Sequence, residues 1–573
     1  MYILGIHLGH DASAVLIRDG QVLADVQEER FNRIKHSFDL PIQSIQYCLE
    51  YAGIHSEDLD AVAFAKKLPS DECALLFPDL SYPASLKSEG KRFLRSLGSP
   101  LMLSRTHKKE LPVYVKPFKT KRSAAAIFVE HHLAHAASAY YTSGLSRDKR
   151  MLIATIDGVG DGVSCALWRG ENGKIDPLLK YGPDSSLGWF YSNVTEALGW
   201  QHGDGEGTLM GLAPYGDRTK AKGVFDGYYP VFENGKLIRP HSFGLFAYID
   251  ISGSRHYHFK DSIAFHCLLD RHRPEDLAIA AQDILEEEVK EFIFPWLEKE
   301  DTRILGCAGG IFLNVKLNQR IWNSGKVDIQ HIYPNAGDSG LAAGAALHAY
   351  YQMEPQANIR EIDTLYKGPA FTNEQIEKIL KDRNIPYERS ENVEQEAAND
   401  LAQNKIVGWF QGRMESGPRA LGNRSILMSA NNPENKTVIN AKVKFRQAFR
   451  PFCPSILAES RETYLSNSRK EEYMITSFDV SDAKRDKIPA VVHKDGTLRP
   501  QLVFKEKNER YYRLIQAFAT LTGESVLLNT SLNIKGEPMI CNPREAIKCF
   551  YDNGIDTLML GDYVLRKPGA GRK

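Results

Sequence analysis

MLIATIDGVGDGVSCALWRGENGKIDPLLK, residues 151–180, reads as three strands joined by two tight turns. The run MLIATI has the length and apolar character of a buried strand, and Asp157 ends it ahead of a glycine-acid turn, Gly158–Gly162. VSCALW and KIDPLLK follow as strands around the turn Gly170–Gly173. The same unit stands at the N-terminus: ILGIHL (3–8), a Gly9–Asp11 turn, then AVLIRDGQVLADV (14–26) folded around Asp19-Gly20. The recurrence is a duplication of architecture, not of residues.

A two-fold repeat of strand, phosphate-type turn and hairpin resembles the actin/Hsp70/sugar-kinase ATPase fold. RILGCAGGIFLNVKLN (303–318) adds a third feature of that fold, an apolar strand running through Gly309-Gly310 into a helix. Periodicity predicts helices over 41–53, 125–141, 275–299 and 339–351. Residues 352–364 turn polar and aperiodic, as a linker does, so a first domain is expected over 1–352 and a second over 366–573. The second opens with a helix at 373–383 and carries strands at 405–410 and 525–530 and a helix at 507–523. The fold class is therefore α/β throughout.

Composition narrows the function classes. At 573 residues the chain exceeds one hydrophobic core, and 72 Lys+Arg against 72 Asp+Glu gives no net charge, which disfavours a nucleic-acid partner. The basic stretch Lys87–Lys121 reads as a solvated face. The eight cysteines contain no CxxC pair, which fits reduced cytoplasm, and nowhere are there the roughly 18 uninterrupted apolar residues of a membrane span. Neither a membrane nor an export signal is expected.

EHHLAHAASAYY (130–141) sets His131 and His135 four apart on one helix face, where both imidazoles reach one point. His132 occupies the position where a metalloprotease helix has glutamate, so that arrangement is absent. Asp157 and Asp338, in PNAGDSGLAAGAALH (334–348), are the carboxylates expected to complete a metal site. The turns Gly9–Ser13 and Gly158–Gly162, with Gly309, Gly310 and Asn314, are expected to cradle a nucleotide or acyl phosphate.

The second domain is rich in cations. GRMESGPRALGNRS (412–425) and KVKFRQAFRPFCP (442–454) supply Arg413, Arg419, Arg424, Lys442, Lys444, Arg446 and Arg450. Without an anion, or carboxylate partners such as Glu415 and Glu434, such a cluster repels itself, so a phosphate pocket is expected. LLNTSLNIKGEPM (527–539) places Asn529, Ser531 and Asn533 after a strand, and HKDGTLRPQ presents Arg499 on a hairpin.

Together these segments resemble the NodU/CmcH carbamoyltransferase family, to which the tobramycin, cephalosporin and ansamycin O-carbamoyltransferases belong. GHDAS, EERFNRIKH, EHHLAH, MGLAPYG (210–216), GGIFLN, NAGDSGLAAGAAL, ESGPRALGNRS, FRPF and LNTSLN occur in the family's order along nearly the whole chain. The resemblance implies an N-terminal threonylcarbamoyl-transferase-like domain and a C-terminal YrdC-like α/β domain. It implies His131, His135, Asp157 and Asp338 as ligands of a divalent metal, iron in the best-described relatives, and His10 and Lys35 around the transfer site, while Asp11 and Ser13 of the first turn are expected to bind the cofactor. It implies that Arg419, Lys444, Arg450, Arg499, Asn529 and Ser531 hold carbamoyl phosphate and ATP; Ser416, Arg424 and Arg446 of the same segments are expected to join them, with Mg2+ accompanying the ATP.

The implied chemistry is formation of carbamoyl-adenylate from carbamoyl phosphate and ATP, then transfer to a hydroxyl of a small natural product such as an antibiotic or toxin. His10 is the expected general base. Thr208 and Gln447 depart from the family's usual residues. A tRNA threonylcarbamoyl-adenosine enzyme and a non-transferring regulatory ATPase are the competing readings. Acceptor contacts are expected in loops 66–120 and 217–262, whose composition does not name the acceptor, and a homodimer is expected on base rates alone.

Overall fold

The computed structural model describes residues 1–82, 116–249 and 255–567, so residues 87–115 of the basic stretch, most of the 66–120 loop, residues 250–254 and the tail GAGRK lie outside the described residues. The chain is mixed α/β and divides into two compact units. The first comprises 1–24, 38–312 and 326–361; the second comprises 25–37, 313–325 and 362–573.

The first unit is built on two five-stranded sheets with one strand order. In the first sheet β1 (Tyr2–His7), β2 (Ser13–Arg18), β3 (Gln21–Gln27), β4 (Ala61–Phe64) and β5 (Ala125–Phe128) stand in the order β3-β2-β1-β4-β5. In the second, β6 (Met151–Gly160), β7 (Val163–Glu171), β8 (Lys174–Tyr181), β9 (Ile304–Ala308) and β10 (Ile329–Ile332) stand in the order β8-β7-β6-β9-β10. In each, the first strand pairs antiparallel with the second and parallel with the fourth, and the fourth pairs parallel with the fifth. The duplication legible in the sequence is thus one of topology. Its hairpins turn on Asp19-Gly20, Asp161-Gly162 and Asn172-Gly173, all with positive φ, the two-residue form whose twist suits a strand pair.

Two expectations need correction. Residues 125–128 are not the start of a helix: they pair with β4, and the helix begins at His131, where the Glu130 side chain accepts the Leu133 N–H. Sheet pairing overrides the helix propensity of an alanine-rich run. The segment 158–160 is not a loop either, since β6 continues to Gly160 and only Asp161-Gly162 turn.

The small residues of the helix Leu341–Met353 set its neighbours' distances. A Cβ at Gly344 would stand 1.8 Å from the Ala134 carbonyl oxygen in the helix His131–Tyr141, and a Cβ at Gly5 in β1 would stand 2.0 Å from the Ala342 oxygen. Backbone meets backbone at both places.

The second unit has an eight-stranded sheet. Its strands β11 (Glu388–Arg389), β12 (Val407–Phe410), β13 (Arg424–Ser429), β14 (Cys453–Leu457), β15 (Gln501–Val503), β16 (Val526–Ser531), β17 (Thr557–Leu560) and β18 (Tyr563–Arg566) stand in the order β11-β18-β17-β12-β13-β16-β14-β15. Both faces are buried. Trp409, Leu427, Leu527 and Met559 join one apolar cluster, while Phe410, Ile426, Met428, Leu528 and Leu558 join another, as the two-residue period of a strand requires. Gly344→Val is expected to destabilise the first unit by about 1–3 kcal/mol through overpacking, read as an earlier urea transition of that unit. An unchanged midpoint would contradict the close helix approach.

Candidate functional site

In the first unit the end of β6 brings Asp157 beside the histidine helix, and a short 3-10 turn at Asp338–Gly340 opens the helix that packs on it. His135 Nε2 lies 3.0 Å from Asp157 Oδ2 and 3.6 Å from Asp338 Oδ1; His131 Nε2 lies 3.7 Å from the same two oxygens. One donor atom from each residue falls within 4.8 Å of all the others. The predicted quartet is therefore brought together.

His131 Nε2 is buried without a hydrogen-bond partner, as a ligand nitrogen awaiting a cation would be. The neighbourhood is shaped for it. A Cβ at Gly160 would stand 2.2 Å from the His131 ring, and one at Gly310 would stand 2.9 Å from Asp157 Oδ1. Two imidazole nitrogens and two carboxylate oxygens form a donor set suited to a divalent transition-metal ion. Burial opposes ionisation here, yet the carboxylates lift the His135 pKa to about 9 while both aspartates are held below their ordinary range by the imidazoles. His132 turns away, its two nitrogens on Thr155 Oγ1 and the Val163 carbonyl.

His10 stands at the rim, Nε2 3.0 Å from Asp338 Oδ2 and Nδ1 3.0 Å from Asp11 Oδ2. Asp338 above all, then Asp11, raise its pKa against the cost of burial. Both of its ring nitrogens thus lie within hydrogen-bond reach of carboxylates of this site. Lys35 falls in the second unit, whereas His10 belongs to the first.

Several expected phosphate contacts are spent elsewhere. Ser13 is buried and donates to the Ser339 carbonyl, and the Gly158 N–H donates to Asp157 Oδ1. A Cβ at Gly309 would stand 2.2 Å from the Ile156 oxygen, so that glycine serves strand packing. Asn314 caps the helix Val315–Asn323, accepting from Lys316 and Leu317 N–H, and it belongs to the second unit.

The arginines of the second unit sort into two kinds. Arg424 is fully buried over the Phe410 ring and donates to the carbonyls of Pro369, Gln411, Gly412, Asn423 and Cys541. It is a strut for the fold and not an anion ligand, a correction that extends to Arg413, which donates to the Lys367 and Gly368 carbonyls. Ser416 Oγ likewise donates to Asp25 Oδ2, at 2.6 Å. Glu415 does not neutralise the arginines: its Oε1 accepts the N–H groups of Leu421, Asn423 and Arg424.

The other kind crowd one another. Arg419 has a buried Nε without a hydrogen-bond partner, and after burial the Arg499 and Arg450 guanidiniums push its pKa down to about 9. Arg446 is depressed to about 9 by burial and Arg450. Arg499 points its Nε and Nη2 at Cys453 Sγ, at 2.9 and 2.7 Å. Among the described residues neither Arg419 nor Arg499 forms an ion pair with a carboxylate.

Lys444 donates to the Ser531 carbonyl at 2.5 Å and to Asn533 Oδ1 at 2.8 Å, and burial followed by Arg446 and Arg450 drives its pKa down to about 7. Asn529, 1% exposed, keeps a buried Oδ1 without a partner. Asn533, one of the three polar residues of LLNTSLN, joins this group through its contact with Lys444. Cys453 carried no sequence signal at all.

Converging guanidiniums beside a lysine of lowered pKa present donors of the kind that suit an anion's oxygens. Because Lys444 is depressed, its charge is present below pH 7 and lost as pH rises through that value. Sulfate, whose own charge is constant there, is expected to bind more weakly at about pH 8.5 than at about pH 6 in calorimetric titration, and Lys444→Arg is expected to flatten that slope. A pH-independent affinity in the wild type would contradict the depressed lysine.

The family profile "Carbamoyltransferase N-terminus" matches residues 2–347, and "Carbamoyltransferase C-terminus" matches residues 398–567. The chain is 35% identical to an uncharacterized protein of Synechocystis sp. over 99% of this chain and 97% of that protein. It is 36% identical to nodulation protein NolNO of Sinorhizobium fredii, over 98% of this chain and 79% of that protein. Among solved structures, HypF in its phosphate- and nucleotide-bound form aligns at 12% identity and a TM-score of 0.35, covering 62% of this chain and 56% of that one, too loose a likeness to carry weight. Profiles spanning most of both units, with one relative matched nearly end to end, place the chain in the carbamoyltransferase family.

Proposed function

We propose that the enzyme transfers a carbamoyl group in two stages, with the second unit activating it and the first delivering it. Activation consumes carbamoyl phosphate, water and ATP. Water displaces phosphate from the carbamoyl carbon, and the resulting carbamate oxygen bonds to the α-phosphorus of ATP as pyrophosphate leaves, giving carbamoyl-adenylate. The observation that carries this reading is the group Arg419, Arg446, Arg450 and Arg499 around Lys444, in which Arg419 and Arg499 lack carboxylate partners among the described residues. Their forks suit the phosphate oxygens of both substrates, while Lys444 offers a compact charge to the oxygens that become negative.

In the delivery stage an acceptor hydroxyl bonds to the carbamoyl carbon, AMP departs with the bonding electrons, and the hydroxyl proton is released. A divalent ion held by His131, His135, Asp157 and Asp338, iron by the family resemblance, would supply Lewis-acid polarisation at the reacting carbonyl. His10, held between Asp338 and Asp11 at the rim, would orient Asp338 within that ligand set. A carbamoyl-adenylate is lost to hydrolysis in open water, which favours handing it on inside the protein. The acceptor proposed is a hydroxyl of a small natural product.

The test is incubation with ATP and carbamoyl phosphate without acceptor, with pyrophosphate, AMP and bound metal measured. Pyrophosphate is expected in the wild type, at least about 100-fold slower in Lys444→Ala, the scale of one lost electrostatic contact, and retained in His131→Ala, which loses its metal. Formation of ADP alone, or independence from carbamoyl phosphate, would reject the adenylate route.

A further inference from the structure

The segment Asp25–Ser37 runs on from the last residues of β3, yet it is counted with the second unit, and Asp25, Gln27, Glu28, Glu29 and Arg30 are all at most 6% exposed. Such a run of charged side chains is costly to bury unless each group has a fixed partner. Its partners lie on the two loops that carry the anion ligands. Asp25 Oδ2 accepts from Ser416 Oγ at 2.6 Å, and Arg30 Nη2 donates to the Gly417 carbonyl at 2.8 Å. Those residues lead directly into Arg419.

On the other side, Arg33 Nη1 and Nη2 donate to the Met539 and Pro538 carbonyls at 2.8 and 2.6 Å. That turn closes the loop whose Ser531 and Asn533 hold Lys444. Phe31 packs between the two loops, against Met414, Ala420, Met539 and Cys541. Glu29 pairs with Arg30 Nη1 at 3.0 Å and accepts the His36 N–H, fixing the guanidinium within its own segment.

We infer that Asp25–Arg33 is a positioning clasp for the anion site, in which Arg30 and Asp25 fix the Arg419 loop and Arg33 fixes the Lys444 loop. The crowding of Arg419 against Arg499 and Arg450 explains the need: mutually repelling guanidiniums drift apart unless their backbone is held. A guanidinium suits the task, since its planar fork spans two partners at fixed angles where a lysine makes one swivelling contact. In the clasp, Arg30 and Asp25 act on the site through Gly417 and Ser416. The inference rests on the proposed anion site, and its test separates the two.

Full-length Arg30→Lys, Asp25→Leu and Asp25→Asn proteins are titrated with inorganic phosphate by calorimetry, with Arg419→Ala as a control, and their metal content and thermal midpoint are recorded. A clasp predicts phosphate binding about tenfold weaker or more in Arg30→Lys and Asp25→Leu, near that of Arg419→Ala, at unchanged metal content and with a KM for carbamoyl phosphate raised more than kcat falls. Asp25→Asn, which still accepts from Ser416, is expected to restore binding to within about threefold of wild type. Wild-type phosphate affinity in Arg30→Lys and Asp25→Leu overturns the clasp, as does loss of affinity only in step with a lowered thermal midpoint and no rescue by asparagine. Absence of phosphate binding in the wild type itself would instead fail the anion site.

Discussion

The approach of two helices across Gly344 is the constraint on which the first unit depends. Only because residue 344 has no side chain can the helix Leu341–Met353 rest on the Ala134 carbonyl, one position before His135. That distance sets where Asp338, at the start of the same helix, meets the two histidines. Gly310 and Gly160 then leave room for Asp157 and His131. The chemistry-bearing side chains are ordinary; their convergence is supplied by residues that have almost none.

The two units solve opposite electrostatic problems. In the first, carboxylates and imidazoles neutralise one another, so the cluster is internally balanced and a cation would compete with protons for its donors. In the second, burial first and then the neighbouring guanidiniums lower the pKa values of Arg419, Arg446 and Lys444. Buried like charges held close are a functional-site signature, and they motivate the anion site proposed above. The two-stage reaction proposed above, with phosphate-bearing donors and a hydroxyl acceptor, would use both.

Much of this was legible in the sequence because it lies in local patterns. Asp-Gly and Asn-Gly turns announced the hairpins, and the i, i+4 histidines announced a shared point in space. The helix predicted over 125–141 failed at 125–128 because alanines there are recruited as a sheet edge, a long-range choice that local propensity does not encode. The arginines were harder still. Arg419 and Arg424 share one loop and one side-chain chemistry, yet Arg424 is spent on backbone carbonyls and Arg419 is left facing its own kind. Only the tertiary fold decides which carbonyls are within reach. The same holds for Asp25–Ser37 and Leu313–Gly325, which are counted with a unit whose remaining residues begin at 362.

The central claim is that carbamoyl activation belongs to the arginine site and does not need the histidine–aspartate site. Isotope exchange of labelled pyrophosphate into ATP, followed in the presence of carbamoyl phosphate and without any acceptor, tests it most directly in a metal-free Asp157→Ala protein. Exchange at a rate comparable to wild type is predicted. Exchange that vanishes with Asp157, while the protein keeps its fold and its phosphate affinity, would contradict it.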